Sequence, residues 1–438
     1  SAAIITELLD AAVIHFPSSF NKNLVGCPCW NQIYGDFSFP QEQGSSSLKS
    51  SSLLLSPILH LHQRVNIVLK MGNILSSNEP RKERSVSETT SERSSQADLS
   101  SKAQVPRSLG QNKLQTEKAI WGLKDFFERE LLRELNLTKI SAPLILRNGR
   151  GLNDTGRGYE PVSFAMADGG IGELPRALSR WKRYTLKNFD LKAGDGGICV
   201  YMNGIRPDET ELDETHSHYV DQWDWELPIT HEDRTIETLK TKVVQIYSVL
   251  KKTAKFVNEQ YGIYTPMPEA ITFVHSSQLQ KEYPELSYEE RENQACLKYG
   301  AVFVIGIGAP LADGKTHGQR GSVLDDWSTM TPLGQGLNGD ILVLWGGRAL
   351  ELTSMSIRVD AKSIAYQMDY KGHTEERQDL EYVQAVLKDE LPQTVGGGIG
   401  ISRVCMYLLQ RRHIAEVQSS PWPAEMMEAF KSQGIEAL

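Results

Sequence analysis

The sequence predicts an α+β fold: a largely antiparallel sheet flanked by helices, behind a disordered N-terminal extension. Three observations predict it. After about residue 111, segments of helical and strand period alternate irregularly, unlike the regular alternation of a doubly wound parallel sheet. Hairpin signals join neighbouring strand-like segments. Before that point the chain is rich in serine and charge and has no sustained period. The chain of 438 residues is 40% hydrophobic and 23% charged. That composition excludes a membrane-embedded protein and a wholly disordered one. The division expected is a low-complexity, mostly disordered extension over 1–110 and a folded domain over 111–438.

Within the extension, Ser45–Ser47 and Ser50–Ser52 form one cluster, and the charged run from Arg81 to Ser101 forms another. Such stretches bury too little apolar surface to offset their ordering entropy. The chain begins with Ser1, and Met71-Gly72-Asn73-Ile74-Leu75-Ser76 fits the M-G-x-x-x-S myristoylation pattern. A chance internal match outweighs a lipid site on Gly72, and no membrane partner is expected unless Met71 initiates translation. Cys27-Pro28-Cys29 lacks a second pair, which argues against zinc.

The folded part opens with Ile120, Leu123, Phe127, Leu131 and Leu135 at helical spacing. Ile140 to Leu146 (ISAPLIL) reads as a strand, with Pro143 confining it to an edge or an interface. A second strong helix is expected over Ile236 to Asn258. Phe273–His275, Ala301–Ile305, Asp340–Trp345 and Glu351–Val359 read as strands.

The formal charge of −8 disfavours a nucleic-acid partner. Five cysteines make no disulfide framework and fit a reducing, cytoplasmic setting.

Five constellations carry candidate chemistry. In Tyr219 to Glu226, alternation puts Gln222, Asp224 and Glu226 on one face and Trp223 and Trp225 on the other. A solvated strand over core tryptophans explains this as readily as a pocket does. In the hairpin from Asp340 to Asp360, a two-residue turn at Gly346-Gly347 sets Val343 opposite Leu350 and Leu342 opposite Glu351. Asp340 and Glu351 then become diagonal neighbours about 7–8 Å apart, able to share a divalent cation. Thr353 would join their face, and Arg358 would not unless a bulge lies near Ser354-Met355-Ser356. Gly396 to Arg403 offers glycines for close backbone approach and then a guanidinium on a helix, although a turn before a helix is the default for such a run. Arg206-Pro-Asp-Glu209 offers a planar fork for phosphate, and Ser179 to Arg183 is basic with one aromatic. Taken singly, each of these last two reads as ordinary surface.

In order, SRWKRYTL, GIRPDE, HYVDQWDWE, DDWST, LNGDILV, ELTSMSIRVD and PQTVGGGIGISR strongly resemble the ammonia-dependent asparagine synthetases, the AsnA-type aspartate–ammonia ligases. The resemblance runs from about residue 114 to 438. That family is in turn similar to the catalytic domain of class II aminoacyl-tRNA synthetases of the aspartyl and asparaginyl kind. The resemblance implies a class II synthetase-like antiparallel sheet and a homodimer paired through the ISAPLIL stretch. It implies that aspartate and ATP form β-aspartyl-AMP, which ammonia then converts to asparagine.

By the same resemblance, Arg206 holds the α-phosphate, Arg403 stacks on adenine, and Mg²⁺ on Asp340 and Glu351 bridges phosphate oxygens. Glu209, Gly398 and Gly400 fall in the nucleotide motifs. Ser217, with Thr353 and Ser354, completes the nucleotide and substrate shell. Lys182 and Arg358 are expected at the substrate α-carboxylate. Asp154, Asp224 and Asp325 are candidates for the amino group or incoming ammonium, and Gln222 for the activated carboxyl group. The chain departs from the family pattern at Arg176-Ala177, where a His-Ser pair is usual, at one inserted residue near Gly196-Gly197, and in its shorter turn at Gly346-Gly347.

The alternative is an adenylating paralogue like the aspartyl or asparaginyl-tRNA synthetases. The acidic charge and the lack of a strand-rich anticodon-reading module disfavour it. A glutamine-using synthetase would need a hydrolase domain with a nucleophilic cysteine. A catalytically silent nucleotide-binding relative would be expected to lose Arg206, Lys182 or Arg403, and all three are present.

Overall fold

The structure, a computed structural model, describes residues 112–154, 160–372 and 379–438. The expectations for residues 1–110, including Gly72 and the Cys27–Cys29 pair, lie outside the described residues.

Helix α1 (Lys113–Leu135) starts where the Asn112 side chain accepts from the amides of Leu114 and Gln115, and stops at Asn136 with φ 54°. Its apolar stripe is the expected one: Ile120, Leu123, Phe127, Leu131 and Leu135 are all buried. The chain continues through β1 (Leu137–Lys139), β2 (Leu146–Arg147), β3 (Ser163–Ala165), β4 (Ile171–Glu173), α2 (Ser179–Asn188), β5 (Gly197–Ile205) and β6 (Tyr219–Pro228). Then come α3 (Ile236–Tyr261), β7 (Thr272–His275), α4 (Ser276–Glu282), α5 (Tyr288–Tyr299) and β8 (Ala301–Ile305). The small hairpin β9 (Met330–Thr331) and β10 (Gly334–Gln335) precedes the long one, β11 (Asn338–Trp345) and β12 (Arg348–Ile357). Helices α6 (Ala361–Tyr370) and α7 (Glu381–Leu387), strand β13 (Thr394–Gly400), α8 (Ile401–Leu408) and α9 (Ala424–Gln433) complete it.

The main sheet has the order β1-β5-β6-β13-β12-β11-β8-β7. Its centre is antiparallel, but both edges are parallel pairs, β1 with β5 and β7 with β8. The sheet is therefore mixed rather than uniformly antiparallel. The expected strand at 140–146 is also absent as such. The amide of Ile140 still bonds the Cys199 carbonyl, but the chain then leaves the sheet before Pro143, which has no N–H to offer a ladder. Leu144 and Ile145 are left exposed.

The sheet has two chemically opposite faces. Trp223, Trp225, Ile341, Val343, Met355, Ile357, Val395 and Ile399 share one core cluster with the apolar stripes of α1, α3 and α8. Phe127 stacks on Trp223 with ring centroids 4.2 Å apart. The opposite face is polar, and it carries the site.

The hairpin turn sets the register as expected near its tip, with Val343 opposite Leu350 and Leu342 opposite Glu351. The register then shifts between Ile341 and Leu342, so that Ile341 faces Thr353 and Asp340 faces Ser354. The extra residue is thus Leu352, nearer the turn than the serines. A bulge reverses the alternation of everything beyond it. Thr353 therefore stands on the core side, nearly fully buried, and Ser354, Ser356 and Arg358 take the polar side.

Candidate active site

The polar face is built as rows. Asp340, Ser354, Gly398 and Asp224 lie opposite one another across β11, β12, β13 and β6. Ser356, Gly396 and Glu226 form the next row. Three strand spacings separate Asp340 from Asp224, roughly 14 Å. The glycines on β13 leave room between them. A Cβ at Gly398 would lie 2.5 Å from Gln222 Oε1, and one at Gly396 would collide with the Glu226 carboxylate.

Above this floor is a cavity of about 540 Å³. It gathers Arg206, Glu209 and Ser217 from the end of β5 and the following loop, Gln222 from β6, and Gly398, Gly400 and Arg403 from β13 and α8. Asp154, Asp325, Glu351 and Ser354 complete the expected set at its wall. Asp340, Lys182, Asp224 and Arg358 do not line it; they are buried just beneath.

One side of the cavity is cationic. Burial, reinforced by the neighbouring guanidinium groups of Arg403 and Arg176, lowers the Arg206 pKa. Among the described residues no carboxylate stands within ion-pair distance of Arg206. Arg176 instead pairs with Asp208. Arg403 is held from several sides: Nε donates to the Thr215 carbonyl at 3.4 Å and Nη1 to the Glu351 carbonyl at 3.1 Å, while Nη2 meets His216 Nε2 at 3.2 Å. The Ser217 hydroxyl bonds Gln418 at 2.5 Å at the cavity wall.

Next to this cationic wall sit two carboxylates. Burial pushes the Asp340 carboxyl up to about 7, with the Glu351 charge adding to the rise and Arg320 opposing it. Burial also acts on Glu351, but the guanidinium groups of Arg403, Arg320 and Arg206 outweigh it and hold Glu351 below its ordinary value. Arg320 pairs with Asp340 and donates to Ser354 Oγ at 3.0 Å. Among the described residues no group of three His, Cys, Asp or Glu side chains converges. Asp340 and Glu351 are thus a partial donor set. Both are hard oxygen donors of the kind a divalent cation takes, and Arg320 now supplies positive charge beside them.

The floor holds a chain of buried charges. Lys182 pairs with Asp224, donates to the Trp225 carbonyl at 2.8 Å and lies 3.5 Å from Glu226. Arg358 grips Glu226 through Nε and Nη2 at 3.0 Å each and reaches Asp325 at 2.7 Å. Asp325 also accepts from Ser356 at 2.5 Å. Burial raises the pKa of Asp224, with Lys182 opposing, and among the described residues Asp224 Oδ2 has no hydrogen-bond partner. Asp154 lies 3.1 Å from Arg180 at the rim.

Three contributors had no signal strong enough to single them out in the sequence. Arg320 sits in a loop of no period, and His216 and Asp213 belong to a turn. The Asp-x-x-His spacing of that turn is a usable clue, because Asp213 Oδ1 accepts from the amides of Thr215 and His216.

A family model described as aspartate-ammonia ligase matches residues 114–434. An aspartate–ammonia ligase of Clostridium perfringens is 45% identical over 331 residues, 74% of this chain and 95% of the relative. One from Mycoplasmoides gallisepticum is 44% identical over 332 residues, again 74% of this chain and 98% of the relative. Among solved structures, asparaginyl-tRNA synthetase of Pyrococcus horikoshii complexed with asparaginyl-adenylate superposes with a TM-score of 0.53. It is 13% identical and covers 70% of each chain, so it speaks to the fold alone: the class II synthetase fold.

Proposed function

The chain belongs to the aspartate–ammonia ligase family, and on that premise we propose that its cavity makes L-asparagine from L-aspartate, ATP and ammonia. The β-carboxylate oxygen attacks the α-phosphorus, the bond to the β-phosphate breaks, and pyrophosphate leaves. Ammonia then attacks the side-chain carbonyl carbon of β-aspartyl-AMP. The C–O bond breaks, AMP leaves with its electron pair, and the surplus ammonium proton passes to a carboxylate.

One observation carries this reading. Arg206 faces the cavity with no carboxylate within ion-pair distance among the described residues, and Arg403 and Arg176 crowd it more strongly than Glu351 and Glu209 offset them. A guanidinium with no direct ion pair in such company calls for an anion. An α-phosphate there would meet the planar fork, and charge building on it during transfer would be stabilised in place. Arg403 covers the adenine, with Ser217, Glu209, Gly398 and Gly400 around the nucleotide. Asp340 and Glu351 would hold Mg²⁺, which when bound supplies charge neutralisation to the phosphate oxygens.

The buried charges suit the amino acid. Asp224 Oδ2, beneath the cavity floor and with no hydrogen-bond partner among the described residues, is the acceptor for an α-ammonium group. Lys182, Arg358, Asp325 and Ser354 set the polarity around the α-carboxylate, and Gln222 bonds the reacting carboxyl group without adding charge. Asp154, at the rim, attracts ammonium and accepts its proton. We place the enzyme in the cytoplasm, as a homodimer. Among the described residues no helix is long and apolar enough to cross a membrane.

The test supplies aspartate and ATP with ammonium, glutamine or tRNA offered separately, and measures AMP and the aminated product. AMP and asparagine with ammonium alone are expected. Transfer to tRNA would select the synthetase-like alternative. Arg206→Ala should lose at least about a hundredfold of the aspartate-dependent pyrophosphate exchange. Parental exchange in that variant would refute the phosphate assignment.

A further inference from the structure

The loop between β5 and β6 holds a relay that the reaction scheme leaves unused. His216 stands between two charged groups. Its Nδ1 lies 2.8 Å from Asp213 Oδ1, and its Nε2 lies 3.2 Å from Arg403 Nη2. A guanidinium has only donors, so at the Arg403 contact the imidazole nitrogen must accept. Nε2 therefore carries no proton, and the ring proton sits on Nδ1, donated to Asp213. Asp213 is itself fixed, accepting from the amides of Thr215 at 2.7 Å and His216 at 2.9 Å. The His216 hydrogen bond and these amides hold its carboxyl below the ordinary carboxylate range against the opposing effect of burial.

We propose that Asp213 and His216 are positioning residues that lock the plane of Arg403 for the adenine ring, through one fixed tautomer of the imidazole. The inference rests on the nucleotide reading of Arg403 given above, and deepens it. Among the described residues, the His216 contact adds a third direction of restraint to the guanidinium beyond its remaining contacts. Two are backbone carbonyls, and the third is the Glu351 carboxylate at 3.5 Å, a group with its own work at the phosphates. A stacking guanidinium is useful only in one plane. The lock also has a sign with respect to pH. Protonating His216 puts a hydrogen on Nε2 and a positive charge against Arg403, so the contact turns repulsive. The groups facing the ring are Asp213 and Thr215 of its own loop, Arg403 of α8, and Glu351 of β12 beyond it.

Two measurements test this. Nitrogen NMR of the parent protein without nucleotide reads the tautomer: protonated Nδ1 and bare Nε2 are expected for His216, and the reverse overturns the lock. ATP binding is then titrated from pH 7.5 to 5.5 in the parent, His216→Gln and His216→Leu. Gln has an acceptor oxygen that does not titrate in this window; Leu has none. His216→Leu should bind ATP about tenfold more weakly at every pH. His216→Gln should restore most of that affinity, and its weakening on acidification should be smaller than the parent's. The titration of ATP itself is common to all three and cancels. Equal affinity and equal pH dependence in all three proteins would overturn the proposal. A parent that shows the expected tautomer but binds no ATP would instead remove the nucleotide reading beneath it.

Discussion

Arg320 occupies the position that a bound cation would contest. It pairs with Asp340, reaches Ser354 at 3.0 Å and lies 3.5 Å from Asp325. Removing it leaves Asp340 and Glu351 repelling each other with one fewer counter-charge. Arg320→Gln should therefore melt below the parent without divalent metal and recover most of the difference with Mn²⁺; an equal deficit with and without metal would refute this role. Lys182 is a second such case. It is fully buried and balances Asp224 and Glu226, so Lys182→Met should cost about 3 kcal/mol in urea unfolding, as breaking one side of a buried pair does. At this scale the charged residues named from motifs were legible, but their partners were not. Nothing in the spacing of Lys182 and Asp224 says they touch, because the packing of helix α2 on β6 brings them together across a separation the sequence does not mark. Arg320 went unread because its loop carries no period.

The elements decide which side chains reach the cavity. Gly396 and Gly398 predict contrasting variants. The Cβ of Gly398→Ala would press on the far end of Gln222, which can swing away. That variant should keep its melting temperature and lose turnover. At Gly396→Ala the obstacle is Glu226, pinned by Arg358 and Thr394, so about 2 kcal/mol of stability should go. Unfolding curves and initial rates on both variants check the contrast. Helix α7 supplies a pH-dependent clasp: Glu381 takes the Arg150 fork at 2.7 and 2.8 Å and also bonds Tyr184. The Arg150 hydrogen bonds, opposed by burial, hold the Glu381 carboxyl down from 4.5 to about 2. A carboxylate held low contributes its stability above its ordinary value and loses it as pH falls through the lowered one. Glu381→Gln should thus be less stable than the parent at pH 7, by under about 1 kcal/mol for so exposed a pair, and the gap should close as the pH falls from 5 towards 2. The strands β7, β8, β11 and β12 and both long helices were readable from periodicity, and the hairpin from its glycine pair, whereas the strand expected over 140–146 is not one. The bulge at Leu352 was not expected, since an unbroken alternation put Thr353 on the site face, and Leu352, Thr353 and Ser354 offer no pattern that marks an extra residue. That single shift exchanged Thr353 for Ser354 at the site.

At the scale of the molecule, several exposed apolar residues lie on or beside one small sheet. Leu144, Ile145, Phe164 and Ile171 are all exposed, and Phe164 and Ile145 flank Gly172. A patch of this kind fits the pairing of two copies. Sedimentation should give a dimer for the parent and a monomer for Ile145→Glu with Phe164→Glu; a dimer in both would move the interface elsewhere. The fold class was legible from the mixture of periods, whereas the parallel edges were not, since pairing direction leaves no trace in alternation. The seam between β6 and β13 has a last consequence. Gln222, Asp224 and Glu226 meet their glycines only when residues 394–400 insert beside residues 219–228. A ribosome must therefore deliver the chain past residue 400 before this enzyme can have any activity, and a nascent product halted before residue 394 would hold two half-walls and no catalyst.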